Sequence, residues 1–160
     1  MNVLVYDPYQ KADQIESYGC QKAELNDLLA AADIISFHAK VNDSNKGMIG
    51  REQFQRMKDG VFMVNNARAG LVDEEALREA LRSGKLGGLA LDVFHQEPIK
   101  RDDEYFNYPN VVLTPHIAGA GRDVIYLQSV MLVNDLLFYF AGGRPRPVVN
   151  PEVFEKTAGR

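Results

Sequence analysis

Short apolar runs rich in β-branched residues alternate along the chain with amphipathic segments. Five of the runs predict β-strands, over Val3–Tyr6, Ile34–His38, Val61–Asn65, Leu89–Phe94 and Val111–Leu113. Strands that alternate with helices are typical of βα units, which feed a parallel sheet that is buried on both faces. The pattern therefore predicts an α/β fold.

Apolar residues at helical spacing predict two helices between the first two strands, one in each of the next two connections, and one longer helix after the last strand. These segments cover residues 12–18, 25–32, 51–58, 74–83 and 123–141. In the fourth, Asp73 stands at the N-cap, Glu74 and Glu75 suit the positive end of the helix dipole, and Gly84 ends the helix. Gly87 and Gly88, just before the fourth strand, predict a turn.

The composition limits the function classes. With 46 % hydrophobic and 25 % charged residues among 160, the chain has enough apolar material for a globular core. The 18 Lys and Arg residues against 22 Asp and Glu, without a basic run, argue against nucleic acid or an anionic membrane as partner. Polar residues interrupt the apolar stretch over residues 125–140, so no membrane span is expected. A single cysteine, Cys20, predicts a reducing compartment and hence the cytoplasm.

Polar residues follow the predicted strands, where a doubly wound sheet places its ligand crevice. Asp7 could accept hydrogen bonds from the ribose of a dinucleotide, and it could equally be a turn aspartate before Pro8. Arg68 could hold a substrate carboxylate with its guanidinium, or be an ordinary exposed arginine. Position alone leaves both alternatives open.

Glu97 and His116 form the most informative pair, because one strand and its preceding loop separate them. A histidine can supply the proton that a carbonyl needs when it is reduced, and a carboxylate on the other ring nitrogen fixes its orientation. Taken singly, each could be a plain loop residue. The three histidines, His38, His95 and His116, lack a short metal-ligand spacing, so we expect no metal site.

The glycine fingerprint of a dinucleotide site, G-x-G-x-x-G, does not occur in the sequence. Gly119-Ala120-Gly121 is the nearest imitation, but it follows the last strand and lacks the third glycine. We interpret it as a turn.

Several blocks resemble one family when they are taken together and in order. They are Val5–Tyr9, Ala32–His38, Met57–Gly60 with Asn65–Asp73, Ala90–Phe94 with Glu97–Pro98, and Val112–Gly119. Over roughly its first three quarters the chain resembles the NAD-dependent D-isomer-specific 2-hydroxyacid dehydrogenases, which include phosphoglycerate dehydrogenases. Ala69 and Lys40 depart from the family pattern, in which glycine and proline are usual.

The resemblance implies an oxidoreductase that transfers a hydride reversibly between NAD and a small 2-hydroxy or 2-oxo acid. It implies that Arg68 binds the substrate carboxylate, that His116 is the acid/base, and that Glu97 is the partner of His116. The implied cofactor-binding residues are Asp7 at the ribose, His38 and Ala67 through their backbone, Asp92 at the nicotinamide carboxamide, and Gly119.

The resemblance also implies an incomplete doubly wound parallel sheet, Rossmann-like, without its first strand and glycine-rich loop. In the order 3-2-1-4-5-6, that first strand would lie between the strand of Val3–Tyr6 and the strand of Val61–Asn65. We expect a partial NAD-binding domain over residues 1–118. A long helix and an extended tail over residues 119–160 would return to a substrate-binding domain outside these residues.

We therefore expect the C-terminal part of a dehydrogenase, weak or inactive alone, that could form a homodimer. Two alternatives remain open: a non-enzymatic NAD(H)-responsive module that binds proteins, as the corepressors of the family do, and a fragment without activity.

Overall fold

The computed structural model describes residues 1–145 and 148–154. Its strands are β1 (Leu4–Val5), β2 (Gln21–Lys22), β3 (Ile34–Phe37), β4 (Val61–Asn65), β5 (Leu86–Leu91) and β6 (Val111–Leu113). Its α-helices are α1 (Ala12–Glu16), α2 (Leu25–Ala31), α3 (Arg51–Arg56), α4 (Glu74–Arg82) and α5 (Arg122–Phe140). Short 3-10 helices cover Ala69–Leu71 and Glu104–Asn107. The predicted α/β alternation is confirmed.

Helix α4 begins and ends as the sequence predicts. The Asp73 carboxylate accepts a hydrogen bond from the backbone N–H of Ala76 at 2.8 Å, which satisfies one free donor of the first turn. Gly84 follows the helix with φ of 73°, in the left-handed region that closes a helix C-terminus. Leu77, Ala80 and Leu81 of the apolar stripe are buried.

All strand pairs are parallel. The order β3-β4-β5-β6 forms a four-stranded sheet, and β1 pairs with β2 in a separate two-stranded sheet. The sequence analysis expects the missing first strand to lie beside the strand of Val61–Asn65. This expectation was wrong, because β3 and β5 already occupy both sides of β4. The reason is β2, which takes the place beside β1 that the strand order assigned to Ile34–His38. Its two residues, Gln21 and Lys22, carry no hydrophobic pattern that could predict a strand.

The fourth predicted strand, Leu89–Phe94, lies three residues too far along the chain. Strand β5 already begins at Leu86, so the predicted turn at Gly87 and Gly88 was wrong. Both positions lie within the strand, and both require glycine because neighbouring groups leave no room for a side chain. A Cβ at Gly87 would stand 2.3 Å from the carbonyl oxygen of Gly60, and one at Gly88 would stand 2.6 Å from the Phe62 ring.

The core lies on one face of the four-stranded sheet. Alternate residues of β3 and β4, including Ile35, Phe37 and Met63, are buried in a cluster with Leu29 of α2 and Phe54 of α3. On the opposite face Ile34 is 61 % exposed, Phe62 53 % and Val112 63 %. The expectation of a sheet buried on both faces therefore does not hold for these strands.

The chain forms two compact units, residues 1–118 and residues 119–160. The second unit holds α5, whose 19 residues include none that is buried. By length and composition alone α5 could cross a membrane, a test that core helices of soluble proteins also pass. The predicted extended tail is described only in part, because Arg146, Pro147 and residues 155–160 lie outside the described residues.

Candidate active site

The predicted site residues of the first unit follow the strands, and His38 and Asp92, which the sequence predicts within strands, lie just beyond them. His38 comes directly after β3, Arg68 three residues after β4, Asp92 directly after β5 and His116 three residues after β6. Since these four strands are parallel neighbours, their carboxyl ends meet at one edge of the sheet. Asp7 follows β1 in the two-stranded sheet.

Glu97 and His116 are in direct contact. His116 Nδ1 and Glu97 Oε2 lie 2.9 Å apart, and the backbone N–H of Phe94 donates to Glu97 Oε1 at 3.0 Å. The hydrogen bond with His116, followed by that from Phe94, lowers the pKa of Glu97 below its ordinary value. With Nδ1 paired, the other ring nitrogen of His116 has no hydrogen bond to any described residue and can face a substrate.

Asp92 is buried and holds the turn that carries His116. Its Oδ1 accepts from the Thr114 hydroxyl at 2.5 Å and from Ile117 N–H at 2.9 Å, and its Oδ2 accepts from Ala118 N–H at 2.8 Å. Burial raises the pKa of Asp92, but the three donors outweigh it and the net shift is downward. The carboxylate is therefore ionised at neutral pH.

The same turn places His116 at φ of 55°, and no other non-glycine residue in the described chain has a positive φ. Two consecutive N–H groups after His116 point at the Asp92 carboxylate, which stabilises this conformation. Asp92 thus positions His116. A carboxylate has about four acceptor positions, and three of those on Asp92 are occupied. The predicted contact of Asp92 with a nicotinamide carboxamide would therefore use the fourth.

Arg68 is exposed, and its guanidinium Nη1 donates to the carbonyl oxygen of Ala67 at 2.6 Å. Among the described residues, no hydrogen bond joins Arg68 to Glu97 or His116. Ala69, which stands where glycine is usual, begins a 3-10 helix without a positive φ, so alanine fits there.

Among the predicted cofactor residues, Asp7 keeps one carboxylate oxygen available for a ligand. Asp7 Oδ1 accepts from the N–H groups of Tyr9 and Gln10 at 2.8 and 3.2 Å, so Asp7 is a turn aspartate, while its Oδ2 has no hydrogen bond to a described residue. That oxygen could accept from a ribose hydroxyl. The exposed His38 bonds through Nε2 to the Ser36 hydroxyl at 2.9 Å. Gly119 belongs to the second unit.

Two residues of the site had no assigned role in the sequence analysis. Thr114 donates to Asp92, and the buried Asn65 bonds to the backbone of Ala67 and Arg68. A polar residue that ends an otherwise apolar strand is the signal that could have identified Asn65. No group of three metal-ligating side chains occurs in residues 1–145 and 148–154.

The arrangement can hold and protonate a carbonyl compound that carries a carboxylate. An oriented imidazole lies at the carboxyl edge of the sheet, and an exposed guanidinium follows a strand of the same edge. The first can give a proton to an oxygen, and the second can bind a carboxylate with two parallel hydrogen bonds.

Comparison with known proteins identifies one family. Residues 1–118 match the family described as D-isomer specific 2-hydroxyacid dehydrogenase, NAD binding domain. A D-3-phosphoglycerate dehydrogenase of Archaeoglobus fulgidus is 40 % identical over 150 residues, which are 94 % of this chain and 28 % of that protein. A glyoxylate reductase of Korarchaeum cryptofilum is 37 % identical over 153 residues, 96 % of this chain and 46 % of that protein.

Among solved structures, the NAD-complexed form of a D-isomer specific 2-hydroxyacid dehydrogenase from Lactobacillus delbrueckii ssp. bulgaricus superposes with a TM-score of 0.83 at 31 % identity. The match covers 93 % of this chain and 48 % of that one. The chain thus spans between about a quarter and a half of the length of these relatives.

Proposed function

The chain belongs to the D-isomer specific 2-hydroxyacid dehydrogenase family, and on that premise we propose that it carries the catalytic groups of an NAD-dependent oxidoreductase for D-2-hydroxy acids. The observation that supports this most is the 2.9 Å contact between Glu97 and His116, at the carboxyl edge of a parallel sheet. The relative named as a glyoxylate reductase points to a small 2-oxo acid as substrate.

His116 is the acid/base in this proposal. In reduction, the imidazolium gives its Nε2 proton to the carbonyl oxygen of the 2-oxo acid, and in oxidation the neutral ring takes that proton back. Glu97 holds the ring through Nδ1 and compensates the positive charge of the imidazolium. Arg68 binds the substrate carboxylate and polarises the carbonyl beside it.

NAD supplies the hydride acceptor or donor when it is bound. We propose that Asp7 binds the adenosine ribose, that His38 and Ala67 line the cleft with their backbone, and that Asp92 holds the nicotinamide carboxamide. Gly119 is a further proposed cofactor-binding residue. The carboxylate of Asp7 would repel a 2′-phosphate, which favours NAD over NADP.

We expect NAD to bind weakly to the 160-residue chain, because the sequence contains no G-x-G-x-x-G loop to hold the pyrophosphate. The apparent KM for NADH should exceed about 1 mM, the upper end of ordinary Michaelis constants. Turnover should be correspondingly poor. Ordinary dehydrogenase rates at micromolar NADH would contradict this expectation while supporting the assigned chemistry.

The test is NADH oxidation by the chain at high enzyme concentration, with glyoxylate, hydroxypyruvate and pyruvate as substrates. His116→Gln should lower the rate about 100-fold or more, because general acid catalysis contributes roughly 10²–10⁴-fold. Arg68→Ala should also raise the KM for the 2-oxo acid. His95→Gln is the control, because the His95 ring bonds to the Val72 carbonyl oxygen at 3.1 Å and has no role in this proposal.

Equal rates for the wild-type chain and His116→Gln would refute the proposed acid/base. Capture of a defined protein partner that responds to NADH but not to the His116 substitution would favour the non-enzymatic binding module instead.

We further propose that the protein forms a homodimer and is cytoplasmic. The exposed apolar side chains of α5 support self-association, and the free thiol of Cys20 is consistent with a reducing compartment.

A further inference from the structure

Two polar side chains are buried among the described residues, Asn65 with 2 % exposure and Asp92 with 5 %. They stand at the ends of neighbouring strands, and the Asp92 N–H donates to the carbonyl oxygen of Asn65 at 3.0 Å. Asp92 holds the turn of His116. Asn65 in the same way forms hydrogen bonds to the backbone of the loop that carries Arg68.

We propose that Asn65 is a positioning residue that fixes Arg68 for carboxylate binding, an inference that rests on the proposed function. The Asn65 Nδ2 group donates to the carbonyl oxygen of Arg68 at 3.0 Å, and Oδ1 accepts from the N–H of Ala67 at 3.1 Å. One amide thus fixes the peptide groups on both sides of the Ala67–Arg68 bond. No hydrophobic side chain of the same size could do this, and a hydroxyl is too short to reach both groups.

The orientation of the Arg68 side chain depends on this backbone support, because the side chain is exposed and contacts few other protein groups. Its guanidinium donates to the carbonyl oxygen of Ala67, the residue that Asn65 itself restrains. A guanidinium binds a carboxylate well only when its two N–H groups are aligned with the two oxygens. A shift of the loop would therefore weaken substrate binding without altering the arginine.

The burial of Asn65 makes the support rigid. Every buried side-chain nitrogen and oxygen among the described residues has a hydrogen-bond partner. Movement of the loop would leave the Asn65 amide unpaired within the core, which is unfavourable. The neighbouring Asn66 is exposed and its side chain makes none of these bonds, so it provides a matched control.

The test is titration of the ¹⁵N-labelled 160-residue chain with oxamate, a planar carboxylate beside a carbonyl, followed by NMR. Asn65→Leu keeps the volume and removes both hydrogen bonds, so the Kd for oxamate should rise about five- to tenfold. Asn66→Leu should stay within about twofold of the wild-type Kd. In both variants the His116 ring signals should keep their wild-type shifts, which a general structural defect would change.

If Asn65→Leu does not fold, Asn65→Asp is titrated in its place. This variant keeps the oxygen that accepts from the Ala67 N–H and removes the N–H group that donates to the Arg68 carbonyl oxygen. Its Kd should also rise. An unchanged Kd for oxamate in folded Asn65→Leu or Asn65→Asp overturns the inference, as does a parallel change in the His116 signals.

Arg68→Ala separates this inference from the proposed function. Loss of oxamate binding in Arg68→Ala, with wild-type affinity in the Asn65 variants, overturns the positioning role alone. Unchanged binding in Arg68→Ala, or no binding by the wild-type chain, overturns the carboxylate site itself and the positioning role with it.

Discussion

At the scale of single residues, the site depends on an unfavourable backbone conformation that a buried carboxylate compensates. A left-handed conformation costs a non-glycine residue about 1–3 kcal/mol, and His116 adopts one with φ of 55°. Asp92 offsets this cost by accepting from the two N–H groups that follow His116. Because the pKa of Asp92 is lowered, this compensation is present over the whole neutral range.

The stabilisation by Asp92 should disappear in acid. A carboxyl group whose folded-state pKa is lowered contributes stability above its ordinary pKa of about 3.9, and this contribution is lost as the pH falls through the lowered value. We expect the Ile117 and Ala118 amide ¹H shifts to change with a midpoint below about 3.9 in an NMR pH titration.

Asp92→Asn should remove that transition and lower the stability of the turn at neutral pH. Asp102→Asn, at an exposed position outside the turn, should leave it unchanged. A midpoint for Ile117 and Ala118 at or above 3.9 would contradict the assigned role of Asp92.

At the scale of elements, one arginine joins helix α4 to the 3-10 helix Glu104–Asn107. The Arg78 guanidinium donates to Glu74 at 2.7 Å, to Asp103 at 3.0 Å from two nitrogens, and to Glu104 at 3.1 Å. It also lies 4.4 Å from the centre of the Tyr105 ring. Hydrogen bonds to Arg78 lower the pKa of Asp103. This group anchors the segment that precedes β6 and its His116 turn.

Arg78→Ala should destabilise the first unit by about 2–4 kcal/mol, because it removes the ion pairs of the partly buried Asp103 and of Glu74 and leaves Glu104 paired with Arg82 alone. Urea unfolding measures this change. Arg56→Ala is the matched control on helix α3, where the ion pair with Glu52 is exposed, and it should cost about 0.5 kcal/mol or less. If Arg78→Ala lowers the free energy of unfolding no more than Arg56→Ala does, the ion pairs of Arg78 do not stabilise the fold.

At the scale of the whole molecule, apolar surface is left uncovered in both units. One face of the four-stranded sheet exposes Ile34, Phe62 and Val112. Helix α5 is apolar around most of its circumference and exposes its large side chains, among them Leu132 and Leu137. A helix of this kind is normally buried by a partner.

We expect α5 to mediate self-association of the chain. Light scattering coupled to size exclusion should give twice the 17.9 kDa of one chain. Leu137→Glu, at a position that is 64 % exposed, should shift the protein to the monomer. Asn134→Glu, a polar position of the same helix, should not. A monomer at tens of micromolar wild-type chain would contradict homodimer formation.

The sequence by itself determined the α/β class and the family, and it predicted the site residues Arg68, Glu97 and His116. Local signals were sufficient for these features: strand-forming runs, the Asp73 and Gly84 helix boundaries, and ordered motifs around Arg68 and His116. The role of each site residue stays a prediction.

Only the tertiary structure decided features that depend on neighbours distant in sequence. No hydrophobic pattern in the sequence predicts the pairing of β1 with the short polar strand β2. Position 87 within β5 requires glycine because the Gly60 carbonyl oxygen, from another segment, lies where a Cβ would stand. The support of Arg68 by Asn65 and of His116 by Asp92 likewise arises from burial and hydrogen bonds, which residue types alone do not specify.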